Sequence, residues 1–335
     1  MGTVGRVAIA LVAAQIGAAA LVAAVATPAQ AIAHGDEVAD GEYPFAVKLI
    51  DIGIPTVSGG LRNSSCSGGL ISPHWVLTAG HCFRDLHNNR VSHTVARKSL
   101  ATVGRADQSG TDGFDAKVVE VRQQGHADVS LARLDKTITG VTPLKIARKK
   151  PVVGSKVRLV GYGQTTASTK SIPDRAQTGQ FKVSSVSSLE MGLTGISPRS
   201  NTSPCPHDSG GPYFTESPDG TATAVAVVSH GPTCPHTGPD TGARVDAVSS
   251  WILSVIKNDL EPSPSPSPSS SSPAPRRSET ASGEPRTAPA PRSHPGGVPA
   301  LALAAGVPAA AVVAAVPVLL LSRSRRRRNS SAHRR

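Results

Sequence analysis

The stretch Cys205-Pro206-His207-Asp208-Ser209-Gly210-Gly211-Pro212 decides the fold of this 335-residue chain. Two glycines directly after a serine favour a tight turn, and such a turn can present the serine hydroxyl as a nucleophile. An ordinary surface turn has the same local pattern. The interpretation of Ser209 therefore depends on what other residues the chain supplies.

Two upstream stretches supply the groups that acyl transfer to a serine requires. Leu77-Thr78-Ala79-Gly80-His81-Cys82 offers His81 as the base, and His126-Ala127-Asp128-Val129-Ser130-Leu131 offers Asp128 to orient it. The chain order His, Asp, Ser is that of one of the convergent catalytic triads. The alternatives to Asp128 are Asp107, Asp112, Asp115 and Asp135, which read as loop or strand-end carboxylates.

With these stretches the chain resembles the trypsin/chymotrypsin family of serine peptidases, especially its secreted bacterial members. Trp75 and residues 67–72 before His81 match the family as well, and the resemblance covers about residues 32–258. It implies an all-β fold of two antiparallel Greek-key β-barrels with a C-terminal helix. It also implies a serine endopeptidase that acts on proteins or peptides through His81, Asp128 and Ser209 without a cofactor.

Patterns along the chain agree with that fold. Short runs of β-forming residues alternate with turn residues, which is typical of a barrel or sandwich. The clearest runs are 45–50, 69–78, 117–122, 156–162, 179–186 and 222–229. Near residue 250 the apolar spacing changes to that of a helix. Its apolar face comprises Val248, Trp251, Ile252, Val255 and Ile256.

The resemblance also implies an oxyanion hole, formed by the backbone N–H groups of Ser209 and His207. The family has glycine where this chain has His207, and a side chain there is expected to crowd the substrate or disfavour the required peptide orientation. Losing one such donor costs other proteases about 3–4 kcal/mol. His207 therefore raises a question about catalytic efficiency.

Four residues are implied in substrate binding. Ser203 falls at the base of the family's primary pocket, and Ser229 corresponds to the serine that hydrogen-bonds the triad aspartate. Ser229 and Gly231 begin the strand that holds the substrate backbone. Asp240 stands in a pocket wall that is usually glycine, where its carboxylate would either attract a basic side chain or block a deep pocket.

The family match further implies an activation pair. Asp208 corresponds to an aspartate that binds the new N-terminal ammonium, and Ile32 stands where the mature family chain begins. A signal-peptidase cut after Ala31 would create that terminus. A cut after Ala33 fits the same small-x-small rule and would remove Ile32.

The four cysteines, Cys66, Cys82, Cys205 and Cys234, can pair in three ways. The cysteines lack the C-x-x-C spacing that would favour a zinc site. The carboxylates Asp112, Asp115 and Glu120 form no calcium-loop pattern, so we expect no metal site. The resemblance implies the pairs Cys66–Cys82 and Cys205–Cys234.

Residues 1–31 are typical of a secretory signal peptide, with an uncleaved membrane anchor as the alternative. The protease-like domain would span 32–260, followed by a disordered Pro/Ser-rich linker at 261–297. Residues 298–321 carry no charge and are long enough for one transmembrane helix, although a nonspanning disordered tail is the alternative. The arginine-rich segment 322–335 would stay cytoplasmic, which places the exported domain outside the cell membrane.

The formal net charge of +12 belongs mostly to the tail. Residues 32–260 contain 23 Lys and Arg against 20 Asp and Glu. This balance gives no reason to expect nucleic-acid binding by the folded domain. We expect a monomer.

Two other functions compete with the endopeptidase. A pseudoprotease would keep the fold and bind partners at the cell surface, with its oxyanion hole spoiled by His207. A surface stalk protein would use the barrels only for binding. Reaction with a serine-directed phosphonate distinguishes the endopeptidase from both.

Overall fold

A computed structural model describes residues 31–169 and 171–260. Residues 1–30 of the predicted signal peptide, the linker, the predicted transmembrane helix and the basic tail lie outside the described residues. Among the residues described, no helix is long and apolar enough to cross a lipid bilayer.

The described residues form fourteen strands and one α-helix. In chain order they are β1 (Asp36–Glu37), β2 (Ala46–Pro55), β3 (Leu61–Ser72), β4 (Trp75–Thr78), β5 (Lys98–Val103), β6 (Phe114–Gln123), β7 (Ser130–Leu134), β8 (Lys145–Ile146), β9 (Lys156–Gly161), β10 (Gln177–Val186), β11 (Glu190–Ser197), β12 (Pro212–Glu216), β13 (Ala222–His230), β14 (Asp240–Arg244) and α1 (Ser249–Leu260).

Twelve of these strands close into two antiparallel barrels with the same strand order. The first runs β2-β3-β4-β7-β6-β5 and returns to β2. The second runs β9-β10-β11-β14-β13-β12 and returns to β9. Counted in chain order, the fourth strand of each barrel pairs with the first, and the sixth pairs with the third. This is a Greek-key connection. The expected pair of barrels with a C-terminal helix is confirmed.

An aromatic cluster joins the two barrels. Tyr43 and Phe45 lie just before β2, and Phe214 lies on β12 in the second barrel. The Phe214 ring centroid is 5.2 Å from that of Tyr43 and 5.1 Å from that of Phe45, in edge-to-face geometry. Aromatic pairs of this kind contribute about 0.5–1.5 kcal/mol each beyond the area they bury.

The predicted strand runs coincide with strands of the structure, with one correction. The run at 69–78 is two strands, β3 and β4, because the chain turns at Pro73 and His74 between them. On β6 the buried positions change from Ala116 and Val118 to Val121. A β-bulge between residues 118 and 120 inserts the extra residue that moves the side-chain alternation by one.

Both disulfides implied by the resemblance are present. Cys66 on β3 pairs with Cys82, next to His81, and Cys205 pairs with Cys234. The first therefore joins the His81 segment to the first barrel. The second closes a 29-residue separation around the Ser209 turn and β13.

Helix α1 is held against the first barrel by its apolar face and by one ion pair. Ile252 and Ile256 are buried, as the helical spacing predicts. Near the end of the helix, Asp259 Oδ2 accepts the backbone N–H of His74 at 2.8 Å, and Oδ1 lies 2.6 Å from His74 Nδ1. Burial alone would raise the pKa of Asp259, but hydrogen bonds that include these two lower it below its usual value.

We expect Asp259→Asn to lower the free energy of unfolding by about 1–2 kcal/mol at neutral pH, because the ionised carboxylate that accepts hydrogen bonds from His74 becomes a neutral amide. Urea denaturation of the purified protein measures this. Since the pKa of Asp259 is lowered in the folded protein, the difference in stability between the variant and the wild type should shrink as the pH falls below the pKa of an ordinary aspartate. Asn258→Ala, at the exposed neighbouring position, is the control. An Asp259→Asn protein as stable as the wild type at neutral pH would contradict the role assigned to this pair.

Candidate active site

Asp128 and His81 are joined by two hydrogen bonds. The His81 ring donates from Nδ1 to Asp128 Oδ2 at 2.7 Å, and the His81 backbone N–H donates to Oδ1 at 2.8 Å. The hydroxyl of Ser229 donates to Oδ2 at 2.7 Å, as the resemblance implies. A proton on Nδ1 leaves the lone pair of Nε2 free to act as a base.

The Asp128 carboxylate is ionised throughout the neutral range. Burial acts to raise its pKa, but the hydrogen bonds and charge of His81 and the hydroxyl of Ser229 outweigh burial and lower the pKa to about 2. The carboxylate can therefore stabilise a positive charge on His81 without taking the proton itself.

The alternative carboxylates have other partners. Asp107 and Asp115 form ion pairs with Arg175 and Arg105, and Asp135 accepts the backbone N–H of Lys117. Asp112 is exposed. Of the five carboxylates considered from the sequence, Asp128 is the one hydrogen-bonded to His81 in the described residues.

Ser209 lies on a turn that is pressed against the His81 segment. Its carbonyl accepts the backbone N–H of Ser67 on β3, and the next N–H, of Gly210, donates to Val228 on β13. Gly210 has φ +80°, and a Cβ there would collide with the hydroxyl of Thr78, three residues before His81. Only glycine permits this approach. Within residues 31–169 and 171–260, no hydrogen bond joins the Ser209 hydroxyl to the His81 ring.

His207 adopts the backbone conformation that glycine would provide. Its φ is +78°, in the left-handed region that is unfavourable for a residue with a Cβ. The ring lies against β3, where Nδ1 is 2.9 Å from Ser65 Oγ and 3.1 Å from the Ser65 carbonyl oxygen. The His207 carbonyl accepts the Ser67 hydroxyl at 3.1 Å. Contacts on both sides therefore hold the peptide in this orientation.

Two backbone donors on this turn have no acceptor among the described residues. In the part of the chain that the structure describes, the N–H groups of His207 and Ser209 make no hydrogen bond. The intervening and following N–H groups, of Asp208 and Gly210, are bonded to Cys205 and Val228. With His207 at a positive φ, the N–H groups of His207 and Ser209 therefore stay available for a ligand.

Asp208 is fully buried beside Ile32. Its carboxylate accepts the N–H groups of Cys205 at 2.9 Å and Gly163 at 2.8 Å. Burial raises its pKa to about 7, and the N–H groups of Cys205, Gly163 and Ile32 oppose that rise. Ile32 is also fully buried, and the adjacent residue Ala33 exchanges backbone hydrogen bonds with Ser203. The structure thus brings together the two residues of the predicted activation pair.

A cavity of about 290 Å³ opens beside Ser209. The disulfide Cys205–Cys234 lines one side, residues 228–233 line another, and Asp240 also faces it. Ser203, the residue predicted at its base, does not line it: Ser203 is fully buried and accepts the N–H of His236 at 3.3 Å. The carboxylate of Asp240, at the first residue of β14, takes that place.

Arg90 is a site residue that sequence reasoning missed. Its guanidinium donates to the carbonyls of Ala127 at 2.6 Å and Gly125 at 2.7 Å, and lies 3.7 Å from Asp128 Oδ1. It therefore fixes the loop that carries Asp128. No local pattern marks Arg90, because its partners are 35 to 38 residues away in the chain. Within the described ranges no cluster of three or more His, Cys, Asp or Glu residues could hold a metal ion.

We expect His207→Gly to be more stable than His207→Ala by about 1 kcal/mol. Both variants lose the ring contacts with Ser65, but alanine at φ +78° keeps about 1–2 kcal/mol of strain. The greater flexibility of glycine in the unfolded chain offsets part of that difference. Denaturant titration of the two variants measures it, with Ser65→Ala as the control for the ring contact. An alanine variant as stable as the glycine variant would show that residue 207 does not need a positive φ.

The trypsin family model matches residues 32–252 of this chain. The snake venom serine protease KN5 of Trimeresurus stejnegeri is 26% identical over 237 residues, which cover 66% of this chain and 86% of that protein. The thrombin-like enzyme elegaxobin-1 of Protobothrops elegans is 26% identical over 193 residues, with 54% and 78% covered. The alpha- and beta-fibrinogenase stejnefibrase-1 of Trimeresurus stejnegeri is 27% identical over 196 residues, with 55% and 72% covered.

Proposed function

The chain belongs to the trypsin family and is a trypsin-like serine endopeptidase, and we propose that it hydrolyses peptide bonds through Ser209, His81 and Asp128 at the outer surface of a cell membrane. The observation that carries the assignment is the paired hydrogen bond between His81 and Asp128, completed by the Ser229 hydroxyl. His74 is bonded to Asp259 in the same paired way. What distinguishes His81 is the Ser209 turn beside it, where the N–H groups of His207 and Ser209 have no acceptor among the described residues.

In the proposed reaction, Ser209 Oγ attacks the substrate carbonyl carbon while its proton passes to His81 Nε2. The carbonyl oxygen becomes an oxyanion, for which the free N–H groups of Ser209 and His207 are the proposed donors. When the intermediate collapses, the C–N bond breaks and His81 returns the proton to the departing amine. Water, deprotonated by the same ring, then hydrolyses the Ser209 ester and regenerates the hydroxyl.

Ionised Asp128 supports this cycle in two ways. It keeps the proton of His81 on Nδ1, so that Nε2 faces the reaction, and it stabilises the imidazolium that forms. Arg90 supports the cycle indirectly, because it holds the loop on which Asp128 stands.

Treatment of the exported protein with a fluorophosphonate should label Ser209, because only an activated serine reacts readily. Ser209→Ala should abolish the labelling and lower kcat/KM by at least about 10⁴-fold. Ser58→Ala, at an exposed loop position, should leave both unchanged. A folded protein that is neither labelled nor able to cleave a peptide library would favour the pseudoprotease, and His207→Gly would then be the next variant.

Export is supported by the two disulfides, since such bonds persist in oxidising compartments. Cleavage after Ala31 would place a free ammonium at Ile32, and the amide of Ile32 already lies against Asp208. An ammonium there would lower the pKa of Asp208 and keep it ionised. The proposal is that export cleavage itself activates the enzyme, and that residues 298–321 then tether it to the membrane.

N-terminal sequencing of the exported protein should find Ile32 as the first residue. Because Ile32 and Ala31 are both fully buried, the cut must come before the segment folds against Asp208, which is when a signal peptidase acts. A mature chain that begins at His34 would contradict activation by export cleavage, since Ile32 and Ala33 would both be lost.

A further inference from the structure

The floor of the cavity beside Ser209 is an acidic residue with almost no access to solvent. Asp240 is only 1% exposed, yet it lines the cavity together with Gly231 and the disulfide Cys205–Cys234. A Cβ on Gly231 would collide with Asp240 Oδ1. The carboxylate therefore lies directly against Gly231, which follows the neighbouring strand β13 and whose lack of a side chain makes room for it.

Next to this carboxylate stands a histidine with its acceptor nitrogen facing it. His236 Nδ1 lies 3.1 Å from the carbonyl oxygen of Gly238. A carbonyl only accepts, so in the neutral ring the proton is on Nδ1 and Nε2 carries a lone pair. Nε2 lies 3.1 Å from Asp240 Oδ1, which is also an acceptor when ionised. Two acceptors at this distance repel each other unless a proton or another positive group lies with them.

The polar atoms around this contact are not satisfied within the described part of the chain. Among the described residues, His236 Nε2 and the other carboxylate oxygen, Asp240 Oδ2, are buried without a hydrogen-bond partner. The hydroxyl of Tyr213, also buried nearby, has no partner either. A buried polar group without a partner is destabilising, so the acceptors at this site favour a ligand that brings hydrogen-bond donors.

Resting on the proposed function, we propose that Asp240 and His236 form a proton-linked selector for the substrate residue whose carbonyl Ser209 attacks. With one proton on the pair, the floor is neutral and accepts an uncharged side chain. With that proton released, the Asp240 carboxylate, which lines the cavity, binds the N–H donors of a cationic side chain, and the adjacent His236 sets how readily the proton leaves. A proton and a substrate cation thus compete for the same place.

The surrounding charges set the pH at which this change occurs. Burial and the nearby Asp208 raise the pKa of Asp240 to about 8, and burial lowers the pKa of His236 despite its bond to Gly238. Tyr213 on β12 stays neutral, since burial together with Asp240 and Asp208 raises its pKa. On β13 the nearest titratable group is His230, which is exposed at the cavity rim.

The sign of the effect follows from the raised pKa. Below about pH 8 the pair mostly keeps its proton, and a bound cation must displace it, so binding of a basic side chain weakens about tenfold per pH unit as the pH falls. In the processed enzyme, an ammonium at Ile32 would cancel the charge of Asp208. We therefore expect the midpoint there to lie below that of the unprocessed chain.

The kinetic test compares two peptides that differ only by arginine or citrulline at the cleavage residue, since citrulline has the shape of arginine without its charge. The ratio of their kcat/KM values, measured from pH 5.5 to 9.5, cancels any pH dependence that the two peptides share. We expect the ratio to rise with pH and level off near or below pH 8 in the full-length exported protein. A ratio that is independent of pH while either peptide is cleaved would overturn the proposal.

Two variants test the residues. Asp240→Asn should make the ratio independent of pH and favour citrulline, whereas His236→Gln, which keeps a polar side chain but cannot titrate, should shift the midpoint of the rise. An unchanged rise in Asp240→Asn would assign the titration to another group, such as Asp208, and overturn the proposal. An unchanged midpoint in His236→Gln would remove His236 from it.

A binding test separates this inference from the catalytic one. Calorimetry of Ser209→Ala with benzamidine, in buffers of different ionisation enthalpy and one pH unit below the midpoint of the arginine-to-citrulline ratio, counts the protons released on binding. We expect close to one proton per benzamidine, none for the uncharged isostere benzamide, and none in Ser209→Ala/Asp240→Asn. Benzamidine binding without proton release would overturn the selector. Proton-linked binding in a protein that no fluorophosphonate labels would instead overturn the proposed function and leave the cation site standing.

Discussion

The buried carboxylate of Asp208 is the constraint on which the rest of the active region depends. It is fully enclosed and satisfied by backbone N–H groups from Cys205 and Gly163. Burial of an acid is unfavourable for its charged form, so the carboxylate needs a positive partner to remain ionised. The residue in contact with it is Ile32, the predicted start of the mature chain. One buried group thus connects the N-terminal segment, the Ser209 turn and, through its charge, the floor of the cavity.

The two barrels divide the site between them, so that neither contains it alone. The first carries His81 and Asp128, and the second carries the strand with Ser229, whose hydroxyl completes the hydrogen bonds of Asp128. The Ser209 turn is fixed to both, through Ser67 on β3 and Val228 on β13. The aromatic packing of Phe214 against Tyr43 and Phe45 joins the two barrels. The precision of the site therefore comes from the interface rather than from local loops.

Unsatisfied polar groups mark the places where this molecule is prepared for a ligand. The free N–H groups of His207 and Ser209 offer donors, and the facing acceptors of His236 and Asp240 require them. A folded core normally avoids both situations, because each buried group without a partner is destabilising. The strained φ of His207 belongs to the same pattern: the ring contacts with Ser65 compensate for a conformation that glycine would adopt freely. The unsatisfied donors and acceptors lie where a bound substrate would supply the missing hydrogen-bond partners.

The sequence by itself determined the all-β fold class, through its runs of β-forming residues between turn residues, and the motifs that contain His81 and Asp128. The two disulfide pairs followed only from the family resemblance, since four cysteines can pair in three ways. The sequence also indicated helix α1 from its apolar spacing. Only the tertiary structure decided that Asp240 and not Ser203 faces the cavity, that Arg90 holds the Asp128 loop, and that His236 turns a lone pair towards Asp240. These contacts join groups whose orientation depends on folded backbone, such as the carbonyl of Gly238 that selects the His236 tautomer. A residue pattern states which groups exist, but the direction in which each donor or acceptor points is set by packing.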